Sequence, residues 1–198
     1  MRSSAPLGDE RYKEFAGLAH TATRRMLALC DHLLASSFGQ TAKKQPVGAL
    51  LSDLVKLFGP MAEERGVKLS LELPDDLPEA QVDPEPFTSA VNNLVSNAIK
   101  FTPKGGKVTV MGRKEPMENV AILVISDTGF GMEPETVARQ VRDGGEKGAA
   151  NTVGLHGDFG SGMGLEIARR AVAVMGGSIE FDSRPGVGTT AIVRLPLG

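Results

Sequence analysis

The chain has 198 residues, of which 41% are hydrophobic and 23% charged, and its formal net charge at pH 7 is −2. This near-neutral balance, the absence of Trp and the single Tyr12 argue against nucleic acid or an anionic membrane as a partner. The lone Cys30 excludes an internal disulfide, and no apolar run reaches the roughly 18 residues that span a bilayer. We therefore expect a cytoplasmic protein without a membrane segment, large enough for one ordinary domain and an appended element.

The N-terminal part of the sequence predicts one long helix over residues 9–34. Apolar side chains recur there at alternating spacings of four and three residues, at Phe15, Ala19, Ala22, Met26, Leu29 and Leu33. A single helix cannot bury such a seam, so we expect a partner helix or a second copy of the chain. Residues 35–48 are small and polar and predict a linker. The predicted division is residues 1–45 for the helix and linker, and residues 46–198 for a globular domain.

The rest of the chain alternates between helical and strand patterns. Helices are predicted over residues 47–64, with Gly66 as the C-cap, then around Asn93, and over 134–142 and 165–175. Strands are predicted over residues 67–73, 107–112, 120–125, 178–182 and 189–195, the last two joined by a hairpin turn. Residues 74–86 are predicted to be a connection, and residues 144–160 a mobile Gly-rich loop. The 120–125 strand is almost continuously apolar and should be central. This order predicts an α+β fold, a two-layer sandwich with a mixed or antiparallel sheet and helices on one face.

The helix around Asn93 carries the most informative pattern in the sequence. One face is apolar, with Val91, Leu94, Val95, Ala98 and Ile99. The opposite face aligns Asn93, Asn97 and Lys100, although Asn in a helix interior costs about 0.5–0.7 kcal/mol relative to Ala. Carboxamide oxygens can ligate a hard cation, their nitrogens can donate to phosphate, and Lys supplies charge. The pattern indicates a site for a metal–nucleotide; the alternative is a solvated polar face.

Two glycine motifs follow. Asp127 comes directly after the central strand and precedes Gly129 and Gly131, so its carboxylate could accept a hydrogen bond from an exocyclic amine such as adenine N6. The alternative is an ordinary turn at a strand end. Gly160, Gly162 and Gly164 precede a helix, whose free N–H groups favour a phosphate; the alternative is a flexible loop ending at a tight helix start. No Walker A sequence occurs in the chain.

Together these segments resemble the ATP-binding domain of sensor histidine kinases, within the group that includes type II topoisomerases, Hsp90 and MutL. Residues 93–103 are similar to the N box of that family, residues 127–132 to its first glycine box and residues 160–165 to its second. Residues 186–190 resemble the closing motif near the C-terminus. The resemblance covers residues 45–196 and implies a Bergerat-type ATP-binding fold.

The resemblance also implies roles for individual residues. Asn97 would ligate the Mg²⁺ that bridges the ATP phosphates, Asn93 and Lys100 would contact phosphate oxygens as the catalytic pair, and Asp127 would hold adenine N6. Residues 144–159 would form the lid over the nucleotide. The full set of implied nucleotide-binding residues is Asn93, Asn97, Lys100, Phe101, Asp127, Gly129, Gly131, Met132, Gly160, Gly162, Gly164, Leu165 and Thr189.

Three departures from the family bear on function. Asn93 stands where the topoisomerase, Hsp90 and MutL branches have a Glu that activates water, so MgATP would be held for transfer rather than rapid hydrolysis. The Phe-rich box is missing from residues 137–143. None of His20, His32 and His156 is followed by the acidic residue that follows the family's phospho-acceptor. The N-terminal helix resembles the second helix of the dimerisation and phosphotransfer hairpin. The helix that bears the acceptor is therefore expected upstream of residue 1.

The favoured function is the ATP-binding catalytic region of a two-component sensor histidine kinase. Its cofactors would be ATP and Mg²⁺, and its partners a response-regulator receiver domain and, through the N-terminal helix, a second copy of the chain. Two alternatives remain open at this point. One is a non-enzymatic interaction module with a vestigial ATP site, and the other is a serine kinase of the anti-sigma-factor type.

Overall fold

The computed structural model describes residues 43–115, 119–142, 152–153, 159–160 and 164–197. The helices are α1 (Val47–Arg65), α2 (Pro84–Phe101), α3 (Pro134–Arg142) and α4 (Gly164–Val174). The strands are β1 (Lys43–Gln45), β2 (Lys68–Glu72), β3 (Ala80–Val82), β4 (Lys107–Glu115), β5 (Val120–Asp127), β6 (Thr152–Val153), β7 (Phe159–Gly160), β8 (Ser178–Arg184) and β9 (Gly188–Pro196). None of the helices in these ranges is long and apolar enough to cross a bilayer.

Five strands form the main sheet, in the order β2-β4-β5-β9-β8. Strand β2 is parallel to β4, and all the other neighbours are antiparallel. Strand β5 lies in the middle, as its continuous apolar sequence predicts. Two small antiparallel ladders, β1 with β3 and β6 with β7, complete the described strands.

The core lies between one face of the sheet and the helices. Alternate side chains of the three middle strands point into it and are buried: Val108, Val110, Ala121, Leu123, Ile125, Ala191, Val193 and Leu195. Helices α1, α2 and α4 supply the opposite layer, including Leu51, Val95, Ile99 and Val172. Each fully buried aliphatic side chain contributes about 1.5–3 kcal/mol. The predicted α+β sandwich with helices on one face is confirmed.

The start of α2 is fixed by Asp83. Its carboxylate accepts a hydrogen bond from the backbone N–H of Glu85 at 3.2 Å, and Pro84 occupies the first helical position. Both residues are typical of a helix N-terminus. Because α2 carries the Asn93 pattern, this cap also fixes where the polar face begins.

Replacing Asp83 by alanine should lower the free energy of unfolding by about 1 kcal/mol, since it removes the cap of a helix in the core. The matched control is Asp53→Ala on α1, where the carboxylate is exposed and lies 3.5 Å from Nζ of exposed Lys56. Urea unfolding should show a change of at most about 0.5 kcal/mol for the control. Equal losses in the two variants would contradict the capping role.

The structure confirms most predicted elements and corrects four segments. Residues 74–86 are not a plain connection, because they contain β3 and the first turn of α2. The predicted linker contains β1, and the 144–160 loop contains the short strands β6 and β7. Strand β4 runs to Glu115, three residues beyond its predicted end at Gly112. The predicted helix over residues 9–34 lies outside the described residues.

Candidate functional site

The polar face of α2 meets the first residue of α4. A Cβ atom placed on Gly164 would lie 2.9 Å from Nδ2 of Asn97 and 3.1 Å from Oδ1 of Asn93. Any side chain at position 164 would therefore displace both carboxamides. The structure brings the predicted Asn pair and the end of the second glycine motif together, beside a helix N-terminus whose free N–H groups favour an anion.

The side chains of Asn93 and Asn97 differ in their hydrogen bonds. Asn93 Nδ2 donates to the backbone carbonyl of Ser89 at 2.8 Å, which uses one of its two amide hydrogens. The Asn97 carboxamide lies close to Gly164 and makes no hydrogen bond to the described residues. Asn97 is therefore the carboxamide that can turn both of its polar atoms toward a ligand. One turn further, Lys100 Nζ lies 5.4 Å from the centroid of the Phe101 ring, which orients its ammonium group.

The first glycine motif packs against the end of the same helix. The Phe130 N–H donates to the Phe101 carbonyl at 3.2 Å. A side chain on Gly129 would overlap that same carbonyl oxygen, so the contact requires glycine. Asn97 and Phe101 are one helical turn apart, about 6 Å along the axis. Both glycine motifs therefore flank the last two turns of α2.

Asp127 stands at the end of β5, within this motif. Its Oδ1 accepts from the N–H of Gly129 at 2.8 Å and from the N–H of Thr189 at 3.2 Å. Burial raises the pKa of the Asp127 carboxyl above its ordinary value of 3.8, and the two N–H donors partly oppose that rise. Because both donors use Oδ1, Oδ2 is available as an acceptor for a ligand.

Ser183 ties the first glycine motif to the C-terminal hairpin. Its hydroxyl accepts from the Met132 N–H at 2.9 Å and donates to the Gly188 carbonyl at 3.0 Å. The same oxygen lies 2.8 Å from the Thr189 hydroxyl. Ser183 could not be predicted from the sequence, because its contacts depend on the register of β8 and β9, and no local pattern indicates that register. The Gly186 N–H, which donates to the Phe130 carbonyl at 2.7 Å, adds a second link.

Of the other predicted site residues, Met132, Leu165 and Gly160 lie within the described ranges, and Gly162 does not. Met132 and Leu165 are partly buried and pack against the core beside the two motifs. Gly160 ends β7, where it pairs with Thr152, while Gly162 lies outside the described residues. The three histidines and most of the predicted lid, residues 144–159, also lie outside them. In the segment where the family has its Phe-rich box, residues 137–143, Val137 packs against the core.

The site combines carboxamides beside a helix N-terminus with a partly buried carboxylate at the end of β5, whose following turn contacts the end of α2. With the mixed sheet behind them, these features are typical of a nucleotide-binding α/β sandwich. Residues 82–198 match the family model described as "Histidine kinase-, DNA gyrase B-, and HSP90-like ATPase". The chain belongs to this family of ATP-binding domains.

Relatives and solved structures agree with this assignment. The chain is 33% identical over 202 residues to the Histidine protein kinase DivJ of Caulobacter vibrioides, covering 99% of this chain and 33% of DivJ. It is also 33% identical over 202 residues to the Non-motile and phage-resistance protein of that organism, covering 97% of this chain and 23% of the relative. The chain thus spans a quarter to a third of these proteins.

Two solved structures share the fold. Full-length ShkA in complex with AMPPNP matches with a TM-score of 0.67 and 23% identity, covering 98% of this chain and 40% of ShkA. The catalytic domain of the histidine kinase ThkA matches with a TM-score of 0.63 and 20% identity, covering 80% of this chain and 97% of that domain.

Proposed function

We propose that the chain is the catalytic part of a two-component sensor histidine kinase, with residues 46–198 as the MgATP-binding domain. The observation that carries this proposal is the meeting of Gly164 with Asn93 and Asn97 on the helix whose end also contacts the Asp127 motif. Such a convergence can seat a nucleotide along its full length, from adenine to the terminal phosphate. The kinase names of the relatives support the same class of activity.

In this proposal the cleft residues divide between base and phosphates. Oδ2 of Asp127 accepts from adenine N6, with Thr189 and Gly129 holding the carboxylate, and Phe101, Gly131 and Met132 border the ring. Lys100, Asn93 and the N–H groups of the second glycine motif, residues 160–165, contact the phosphates. The site would act by positioning the nucleotide and by stabilising the negative charge of the phosphoryl group during its transfer.

Mg²⁺ fits the donors of this cleft. No group of three or more His, Cys, Asp or Glu side chains within the described residues could hold a metal ion by itself. Mg²⁺ commonly binds through one or two protein oxygens together with substrate phosphates and water. Asn97 Oδ1 supplies one such oxygen, so the metal would arrive with the nucleotide and neutralise its phosphates.

The reaction and partners follow from the chemistry at position 93. A carboxamide cannot act as a general base for water, so the site favours transfer of the γ-phosphoryl over hydrolysis. The acceptor would be a histidine on a helical hairpin, of which residues 9–34 would be the second helix and would also supply the dimer contact. From that histidine the phosphoryl would pass to an aspartate of a response-regulator receiver domain.

Two measurements on the full chain test this proposal. Calorimetry should detect ATP binding that strengthens with Mg²⁺. With γ-labelled ATP and a histidine-bearing helical hairpin supplied in trans, the label should appear on the hairpin as an acid-labile phosphate. Acid-stable phosphoserine on a partner would instead favour the serine kinase, and no nucleotide binding would favour the interaction module that the missing Phe box suggests.

Asp127 provides a sharper test, because binding and stability should change in opposite directions. Asp127→Asn should weaken ATP binding about tenfold or more, since the amide cannot offer the same charge-assisted acceptor to the adenine amine. The same change should raise the melting temperature of the nucleotide-free protein at pH 7, because it removes a partly buried charge. GTP should bind the two proteins equally weakly, and an equal loss for both nucleotides would contradict the adenine contact.

The raised pKa of Asp127 also sets a pH dependence. The folded protein takes up this proton more readily than the unfolded chain, so the stabilising contribution is complete below 3.8 and is lost as pH rises through the raised pKa. Adenine binding needs the ionised carboxylate of Asp127, so it should weaken as pH falls through the raised pKa of this group. In Asp127→Asn both dependences should flatten, which differential scanning calorimetry and ATP titrations across acidic pH can measure.

A further inference from the structure

Three polar side chains form a row across the main sheet, at the edge of the core. Asp127 on β5 is next to Thr189 on β9, whose N–H donates to Asp127 Oδ1, and Thr189 is the register partner of Ser183 on β8. Each of the three lies two residues from a core side chain of its own strand and therefore points to the helix face of the sheet. These core side chains are Ile125, Ala191 and Phe181. The row thus borders the place proposed for the adenine ring.

The hydroxyl group of Ser183 uses its full capacity for hydrogen bonds. It donates its single hydrogen to the Gly188 carbonyl at 3.0 Å. Its oxygen accepts from the Met132 N–H at 2.9 Å and lies 2.8 Å from the Thr189 hydroxyl. A hydroxyl group has one hydrogen and two lone pairs. Because the Ser183 hydrogen goes to Gly188, the hydrogen between Ser183 and Thr189 comes from Thr189.

This arrangement determines how Thr189 can contact a ligand. Its hydroxyl hydrogen is used by Ser183, so Oγ1 can act toward a ligand only as an acceptor. Within the part of the chain that the structure describes, Thr189 Oγ1 has no hydrogen-bond partner besides Ser183. The ionised carboxylate of Asp127 offers Oδ2 as an acceptor in the same way. Two acceptor oxygens on adjacent strands therefore lie on the same face of the sheet.

A pair of acceptors distinguishes purines by the group at position 6 of the base. An exocyclic amine carries two hydrogens and can donate to both oxygens, whereas a carbonyl group brings a further acceptor toward them. The carbonyl would lose its hydrogen bonds to water without replacement, which costs free energy. A site of this polarity should bind 6-amino purines and reject 6-oxo purines. If the Thr189 hydrogen were free, it could donate to the carbonyl, and the rejection would weaken.

We propose that Ser183 is a specificity-determining residue of the nucleotide site. By accepting the Thr189 hydrogen, it keeps Thr189 an acceptor and so favours adenine over 6-oxo purines. Ser183 acts through Thr189 and does not itself touch the nucleotide. The residue lies outside the four sequence motifs that carry the family resemblance. The inference deepens the proposed function and rests on it, because it needs the base beside Asp127.

Two nucleotides that differ only in this region of the base test the proposal. ATP carries an amine at position 6 and inosine triphosphate (ITP) a carbonyl, while the sugar and the triphosphate are the same. Calorimetric titrations of the full chain with Mg²⁺ give the ratio of the ATP affinity to the ITP affinity. Ser183→Ala should lower this ratio about tenfold, because ATP loses an oriented acceptor and ITP gains a donor. A purely structural role would weaken both nucleotides by the same factor, and an unchanged ratio would overturn the proposal.

Ser126→Ala is the matched control for this experiment. Ser126 Oγ lies 2.9 Å from the Thr190 hydroxyl. The two residues are register partners on β5 and β9, but they lie on the face of the sheet away from the helices. The variant removes a similar contact between hydroxyl groups, and the affinity ratio should change less than about twofold. Ser183→Thr keeps the hydroxyl on a residue that suits a strand and should retain the ratio of the unchanged chain. A tenfold fall in either of these variants would contradict the role of the Ser183 hydroxyl.

Thr189→Val gives a second measurement that does not depend on the folding of Ser183→Ala. Valine has nearly the shape of threonine but no hydroxyl, so the ratio of ATP to ITP affinity should also fall about tenfold. An unchanged ratio in this variant would overturn the proposal. Absence of ATP binding by the unchanged chain would overturn the proposed function and this inference with it. ATP binding with an unaltered ratio in Ser183→Ala would overturn this inference alone.

Discussion

Replacing Asn97 by alanine is expected to lower MgATP affinity about 100-fold, to the level measured without Mg²⁺. Asn97 lies beside Gly164 and carries no hydrogen bond to the described residues that would restrain it. Loss of its carboxamide removes the oxygen that we propose for Mg²⁺, and the nucleotide would then bind through base and phosphate contacts. Calorimetric titrations with Mg²⁺ and with a chelator measure this difference directly.

Asn92→Ala is the matched control for this experiment. Asn92 lies on α2 as well, but five residues from Asn97 in sequence, which places it about 140° away around the helix. Both substitutions exchange asparagine for the best helix former, so each should raise the free energy of unfolding by about 0.6 kcal/mol. Equal MgATP affinity in the two variants would refute the metal role of Asn97, and a loss of folding in either would show that the helix needs the carboxamide for structure.

The sequence could predict α2 and its role because two independent patterns agree there. The apolar face repeats with the period of a helix, and all five residues predicted for it are buried. The polar face then has to hold Asn93 and Asn97 at positions where asparagine is unfavourable for helix formation. A cost of that kind indicates a purpose other than folding, and the structure places both side chains against Gly164.

The parts that could not be predicted depend on pairing between segments far apart in sequence. Strands β1 and β3 have three residues each, too short to show a period, and each is defined only by the other. Nothing in the local sequence distinguishes Ser183 from other strand residues. Its hydrogen bonds to Met132 and Gly188 depend on the register of the hairpin. The extension of β4 beyond the last residue that pairs with β2 likewise depends on both strands, and no single segment contains that information.

Gly131→Ala should have a large effect on stability, because two costs coincide at this position. The backbone has a φ of +67°, which costs a residue with a side chain about 1 kcal/mol. A methyl group there would also overlap the Arg184 carbonyl oxygen, a backbone atom that cannot move alone. We expect a loss of about 3 kcal/mol or more in the free energy of unfolding, measured with urea.

Gly186→Ala separates these two costs. Gly186 has a nearly equal φ of +74°, yet nothing lies within 4 Å of the position that its Cβ would occupy. This control should lose only the backbone cost of about 1 kcal/mol, so the excess loss in Gly131→Ala measures the contact between the first glycine motif and the C-terminal hairpin. That contact also positions Met132 through Ser183, so ATP affinity should fall in Gly131→Ala and change little in Gly186→Ala. Equal losses of stability in both variants would mean that the two segments can separate without cost, and that the hairpin does not support the nucleotide cleft.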